Sequence, residues 1–563
     1  MAESRTKTLT IAAVFLAIAL FAMAQTLRCA RGYMPNYGTF HDDGIYTVCA
    51  KSLAERHDYR IISLPMEPLE TKYPPLMPVA LSIGFLLAPA FPANVPVLET
   101  IACAVGLAAI WAAGALLVVS GRATVLATLL VVAASWLNLN LLSFLPVPMA
   151  DLLFAALAAA AVTACERAAH LERLQPPPGL RRALASWLAV AAAVVAASFA
   201  HVMGVFLLLA CLCYLLLQRL HHQAAALLAL WALTVGSAWV WAGSHAATAP
   251  AVLVYYTNYP LAAKAAASHL GGPLPFMVSN LRASVTEVID RLIPPLRFCH
   301  AADNPHWLAV LAGYGAVWAL LLAGLSRELK ARSTRKLLAI WLVVHGVMHL
   351  MWPKFAGERH LLVVIPFLYY YLAGGARLFA RRLASFARPR VPLASAAPIV
   401  VLGLIVILNA VDALNWAGIY GSRVPPPAAA GSGYSEATEF HEAYRWINSN
   451  TRATDVIVWN NDPATYLFTG RHAIMSCMGE NWRMIASPEK YITAGDLLES
   501  IKLGRGDYLV IDPVFVGGLG GFNQLGEAVR EIMRAHPGSL APVFTSRYGL
   551  ITIFRIDRSR LPV

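Results

Sequence analysis

The sequence predicts a polytopic, all-α membrane domain of about eleven transmembrane helices, with juxtamembrane helices in its first outer loop, followed by a soluble C-terminal α/β domain. Three observations carry this expectation. Of the 563 residues, 58% are hydrophobic and 13% charged, against roughly 25% charged in an ordinary soluble domain. Apolar runs recur as far as residue 417. Beyond residue 435 the pattern changes to short alternating helix and strand signals.

A span needs about 20 apolar residues. Such runs lie near residues 9–26, 95–119, 123–143, 149–167, 183–199, 203–219, 224–245, 307–325, 338–352, 361–376 and 393–417. The first follows Arg5 and Lys7, and Ala22-Met23-Ala24 resembles a signal-peptide cleavage box. As the first of many consistent spans it reads as an uncleaved anchor. The run 76–91 is shorter and bounded by Pro74, Pro75, Pro78, Pro89 and Pro92, which suits a helix lying at the membrane surface.

Charge placement agrees with this count. With a cytoplasmic N-terminus, the inner loops carry Arg122, then Arg167, Arg173, Arg181 and Arg182, then Arg219. Further on they carry Arg327, Lys330, Arg332, Arg335 and Lys336, and then Arg377, Arg381, Arg382, Arg388 and Arg390. Turns near 144–150 and 200–203 have no Lys or Arg, as the positive-inside rule requires of the outer side. Counting 76–91 as a span would invert the bias. The loops 28–91 and 246–306 and the tail therefore face outward. The chain divides into a membrane domain over 1–420, a Pro-rich linker over 421–434 and an extracytoplasmic domain over 435–563. Helices are expected in that domain over 436–448, 464–468, 496–503 and 522–535, and strands over 455–459, 508–511, 543–546 and 550–555.

The formal charge of +13 belongs to those loops, and no basic stripe interleaved with aromatics marks a nucleic-acid surface. None of the eight cysteines has zinc-site spacing. Cys211 and Cys213 lie in an apolar run as small hydrophobes, while Cys29, Cys49 and Cys299, if outside, allow one disulfide among them. Gly517-Gly518-Leu519-Gly520-Gly521 lacks the ordered GxGxxG spacing of a nucleotide site and reads as a flexible loop.

Chemistry is concentrated at the outer face. His41-Asp42-Asp43-Gly44-Ile45-Tyr46 follows the first span, and Thr71-Lys72-Tyr73-Pro74-Pro75-Leu76 comes after it. Neighbouring side chains diverge on a helix or strand. One carboxylate can therefore face a cavity while the other caps the helix that starts there. Asp43 suits the N-cap. Asp42 suits a general base, held ionised by a cation such as Lys72 or Arg359. Asp151 opens an apolar span, where a carboxylate marks either a function or a solvated helix start. His201, in an outer turn, is either a working group or one satisfied by backbone. Arg359, in Glu358-Arg359-His360, suits a phosphate gripped by two parallel hydrogen bonds, or anchors its helix among lipid headgroups. With no acidic cluster of metal spacing, metal independence is expected, although an ion shared by Asp42 and Asp151 stays open.

These residues resemble the C-type glycosyltransferase superfamily, in particular the bacterial branch related to protein O-mannosyltransferases and the lipid A aminoarabinose transferase. The resemblance rests on Asp42-Asp43 with Tyr46, on Tyr73-Pro74-Pro75-Leu76, on Asp151, on Arg359-His360 ahead of Pro366, and on Trp446-Ile447-Asn448 with Asp455 in the tail. It covers the whole chain loosely. His201 stands where relatives often have Arg or Lys, and His360 where Tyr is usual.

The resemblance implies transfer of a monosaccharide from a polyprenyl-phosphate donor to an acceptor hydroxyl of a glycan, lipid or protein. Transfer occurs outside the membrane, with inversion and without a cofactor. It implies catalytic roles for Asp42 as base and Asp151 as an orienting acid. Lys72 and Arg359 would hold the lipid phosphate, and Asp43, Tyr46, Tyr73, His201 and His360 would complete the substrate-binding set. The implied setting is a bacterial inner membrane crossed many times. The rival readings are a secondary transporter, which would carry its charges near the midplane, and a non-enzymatic envelope-assembly protein.

Overall fold

The computed structural model describes residues 41–174, 179–246, 272–294, 307–331, 335–351, 359–387, 393–421, 434–476, 493–512 and 521–562. The expected anchor over 9–26, most of the linker, the Gly517–Gly520 stretch and Cys29, Cys299 and Cys477 lie outside them.

Two helices form the first loop region. Helix α1 (Asp42–Arg56) packs on α2 (Leu76–Leu87). The 12 residues of α2 rise about 18 Å, well short of a bilayer core. One face, with Met77, Leu81 and Phe85, is buried, while Ile83, Leu86 and Leu87 stay exposed. An apolar outer face on a helix too short to cross suits the membrane surface.

The helical domain continues with α3 (Val95–Val119), α4 (Val125–Leu137), α5 (Leu139–Phe144), α6 (Ala150–Leu171), α7 (Leu180–Ala200), α8 (Gly204–Leu217) and α9 (His221–Ala246). Next come α10 (Pro273–Leu292), α11 (Trp307–Lys330), α12 (Leu337–Met351), α13 (Ile365–Ala387) and α14 (Leu393–Gly421). Among the described residues, 6 helices are long and apolar enough to cross a membrane: α3, α6, α7, α9, α11 and α14. Shorter apolar helices are α2, α4, α8 and α12.

Two expectations change. The run 123–143 is not one helix but breaks at Asn138. Its side-chain oxygen accepts the Leu141 N–H at 3.2 Å and its amide donates to the Arg291 carbonyl at 2.7 Å. A polar side chain that bonds backbone in this way ends one helix and caps the next. The loop 246–306 contains the 20-residue α10, whose polar residues interrupt the apolar run that would have revealed it.

Helix α6 is central and packs against α3, α7 and α8. Its buried Ala155, Ala158, Ala159, Ala161, Ala168 and Ala169 let neighbouring backbones come close. The approach of α11 to α13 is tighter still. A Cβ on Gly324 would lie 2.1 Å from the Tyr371 carbonyl oxygen, and one on Gly375 would lie 1.9 Å from that of Leu320.

The C-terminal region holds α15 (Tyr434–Asn450), β1 (Ile457–Val458), α16 (Asp462–Thr469), β2 (Ala473–Ile474), α17 (Ala494–Gly504), β3 (Tyr508–Ile511), α18 (Gly521–Ala535), β4 (Leu540–Thr545) and β5 (Thr552–Ile556). The sheet order is β2-β1-β3-β5-β4. The β2-β1 and β1-β3 pairs are parallel, and β3-β5 and β5-β4 are antiparallel. Strand β2 has 2 residues, too few to leave an alternating pattern. This region is seated on the first loop. The Ala473 N–H donates to the Ser63 carbonyl at 2.8 Å, and Ile62, Leu64, Leu467 and Ile474 share one apolar core. Cys49 is a buried free thiol, so the disulfide allowed by the sequence does not use it.

Gly375→Ala should cost about 1–3 kcal/mol or more through overpacking, read as a lower midpoint of thermal unfolding in detergent. Gly403, with no heavy atom within 4 Å of its Cβ position, is the control, and Gly403→Ala should be neutral or slightly stabilising.

Candidate active site

Asp42 is the first residue of α1, and the residue before it, His41, is the N-cap. Asp43 is therefore not the cap that the sequence suggested. It lies buried in the first turn, where a carboxylate suits the helix dipole, and its carbonyl accepts the Thr47 hydroxyl at 2.8 Å.

Both oxygens of Asp42 are engaged. Oδ1 accepts the Tyr73 hydroxyl, and Oδ2 lies 2.5 Å from Arg359 Nη2. Lys72 Nζ donates to the Tyr73 oxygen at 2.8 Å, so ammonium, phenol and carboxylate form a chain. Tyr46, one turn along α1 from Asp42, meets Tyr73 edge to face with ring centroids 5.1 Å apart. Glu70 shapes the loop beneath them, its Oε1 accepting the backbone N–H groups of Lys72 at 2.5 Å and Tyr73 at 2.8 Å. Pattern reading overlooked Glu70, and its one signal was an acid placed two and three residues before the pair it holds.

Burial alone would raise the Asp42 carboxyl, but the Arg359 guanidinium and the Lys72 ammonium outweigh it and hold the group down at about 2. Burial pushes the Glu70 carboxyl up against the two N–H groups it accepts. Burial also pushes the Lys72 ammonium below its ordinary range, with Asp42 and Glu70 opposing.

Asp151, in the first turn of α6, is 2% exposed. Its Oδ1 lies 3.1 Å from His360 Nδ1 and 3.8 Å from His201 Nε2, and its Oδ2 lies 4.0 Å from Arg359 Nε. Arg359 thus stands between two carboxylates from distant parts of the chain. The His360 carbonyl accepts from His345 Nε2 at 3.0 Å. Below the cluster Phe154 packs on His201 and Trp341, and this apolar floor strengthens every charge interaction above it.

Asp151, His201 and His360 bring ligand atoms within 4.8 Å of one another, close enough to surround a small ion. The hydrogen-bond polarity argues otherwise. The Met203 N–H points at His201 Nδ1 at 3.2 Å, which leaves the proton of the neutral ring on Nε2, the nitrogen turned to Asp151. A metal-bound histidine has the reverse arrangement, donating from its other nitrogen. The donor set fits a hydrogen-bonded carboxylate better than a metal centre.

The structure brings Asp42, Tyr46, Lys72, Tyr73, Asp151, His201, Arg359 and His360 into one continuous cluster. It also adds a contact from far along the chain, His41 Nε2 to Asp462 Oδ1 at 2.8 Å, for which no local pattern exists. Arg359→Met would strand two buried carboxylates. It should cost about 3–5 kcal/mol, measured as a fall in thermal stability larger than that of Arg359→Lys.

No family model and no curated protein matches the chain by sequence. Among solved structures it is similar to ArnT from Cupriavidus metallidurans bound to undecaprenyl phosphate, at 12% identity over 96% of this chain and 97% of that one, with a TM-score of 0.51. It is also similar to the Archaeoglobus fulgidus oligosaccharyltransferase in complex with Zn and sulfate, at 12% identity over 96% of this chain and 74% of that one, with a TM-score of 0.54. At such identities the likeness concerns architecture alone, and the chain shares the fold of these two structures.

Proposed function

We propose that the chain is a multi-pass inner-membrane glycosyltransferase that moves a monosaccharide from a polyprenyl-phosphate donor to an acceptor hydroxyl on the extracytoplasmic face, with inversion. The observation that carries this reading is Arg359, a guanidinium beside Lys72 that is held between the two buried carboxylates Asp42 and Asp151. A cation so placed can exchange a carboxylate for a phosphate of like charge and geometry. The undecaprenyl phosphate bound by ArnT supports the same class of donor.

In the proposed reaction the acceptor hydroxyl attacks the anomeric carbon from the side opposite the phosphate. The new C–O bond forms as the bond to the phosphate oxygen breaks. The hydroxyl proton passes to Asp42, and the lipid phosphate leaves as an anion toward Arg359 and Lys72. With its carboxyl held at about 2, Asp42 is ionised at every working pH but is a weak base. When Arg359 turns to the donor phosphate, Asp42 loses its strongest counter-ion and its basicity rises. Donor binding thus readies the base. Asp151, with His360 and His201, keeps Arg359 within reach of both partners. Tyr46 and Tyr73 wall the acceptor side, and Asp43 supports the start of α1. We propose that no metal takes part, on the polarity of the His201 ring.

The reading is tested by mass spectrometry of lipids and glycans from a deletion strain. The expected result is an accumulated polyprenyl-phosphate sugar and an acceptor one residue short. Purified Asp42→Asn protein should lose transfer by about 100-fold or more while still folding, with a lowered midpoint of thermal unfolding because Arg359 loses one of its two buried partners. Transfer at the wild-type rate would remove Asp42 as the base. Chelator treatment should leave the rate unchanged. The donor KM should rise as the pH climbs through the range where Lys72 gives up its proton, below the ordinary lysine value of 10.5, because a neutral amine no longer attracts phosphate. Lys72→Arg should move that limb upward.

A further inference from the structure

We infer that the C-terminal α/β region is part of the active site, with Asp462 a positioning residue that sets the orientation of Asp42 through His41. The inference rests on the transferase reading for its consequence in catalysis, but the contact itself stands on geometry alone.

His41 directly precedes Asp42, and its backbone, at φ 62° and ψ −52°, lies close to the γ-turn region that is rare and strained for a residue with a Cβ. Strain of this kind persists only where the surroundings over-determine it, and it gathers at sites of function. The side chain is held by Asp462 at 2.8 Å, with the two groups 2% and 0% exposed. Water therefore does not compete for this hydrogen bond, and its geometry is firm.

Asp462 has little freedom of its own. It opens α16 immediately after β1, which is paired on both sides, by β2 and by β3. Helix α16 also packs on α1, and the Ala473–Ser63 backbone bond fixes a second point of the same seam. Asp462 follows the carboxyl end of β1, and the edge strand β2 bonds the first loop through Ala473.

The side chain of His41, the N-cap, makes no capping hydrogen bond to α1, and its carbonyl accepts the Ile45 N–H at 2.9 Å. The placement of the first turn, and of Asp42 within it, thus depends on how His41 is held. Asp42 must keep one oxygen within reach of Arg359 and free it at the right moment. A shift of about 1 Å in that carboxylate is enough to cost on the order of 100-fold in rate.

The full-length protein in lipid nanodiscs supplies the test. In Asp462→Ala, kcat should fall by about 100-fold with the donor KM unchanged, because Arg359 and Lys72 remain in place. Asp462→Asn, which keeps an acceptor oxygen for His41, should recover most of the loss. Amide hydrogen exchange supplies a readout independent of turnover. Exchange at the first turn of α1 should quicken in Asp462→Ala and not in Asp462→Asn. If the alanine variant does not accumulate, Asp462→Ser, too short to reach His41, is measured in the same way. Unchanged exchange at α1 overturns the inference, as does a loss shared equally by the alanine and asparagine variants or divided between kcat and KM. Absence of transfer by the wild-type protein would sink the transferase reading and leave the exchange comparison to decide the positioning role of Asp462.

Discussion

Two buried carboxylates cannot share a dry pocket without a cation between them, and Arg359 supplies it for Asp42 and Asp151. Removing ionised groups from water is costly, and the cost is met only where charge and hydrogen bonds are both satisfied. The surrounding elements can be understood as the means of satisfying them. The start of α1 delivers one carboxylate and the start of α6 the other. The loop pinned by Glu70 brings Lys72 and Tyr73, and His201 and His360 close the far side.

Helix α6 meets a similar demand at its opposite end. Some fifteen residues on from Asp151, or about 22 Å along the axis, Glu166 accepts a two-pronged bond from Arg122 at 2.7 Å. Arg122 also reaches Glu328 of α11 at 3.0 Å, and Glu166 Oε1 accepts the Leu337 N–H at the start of α12. Between these clusters α6 is mainly alanine and other apolar residues. Ionic clusters at its two ends, separated by close-packed small residues, fix both its depth and its rotation. The Asp151 end is thereby held by contacts made far from it.

Much of the site was legible because each part carries its own local signal. A carboxylate opening an apolar run at Asp151, a basic residue ahead of a double proline and an arginine at the end of an outer turn are each out of place by composition, and the structure gathers them. The local patterns were less reliable where a single side chain overrode them. Asn138 broke a run that hydropathy read as continuous, and α10 escaped notice because polar residues interrupt it. Asp43 lost the cap position to His41, a residue that capping preferences would rank low.

The sequence by itself determined what composition and spacing can determine: a helical membrane domain, an α/β tail, and a set of polar residues at one face. Tertiary structure decided which of those residues touch. The pairing of Asp42 and Asp151 on one guanidinium, the service of Glu70 to the Lys72 loop and the bond from Asp462 to His41 join residues up to 421 positions apart. No periodicity records such contacts. They follow from how helices of fixed length stack through an apolar layer, and from the rule that every charge left in that layer must find its partner.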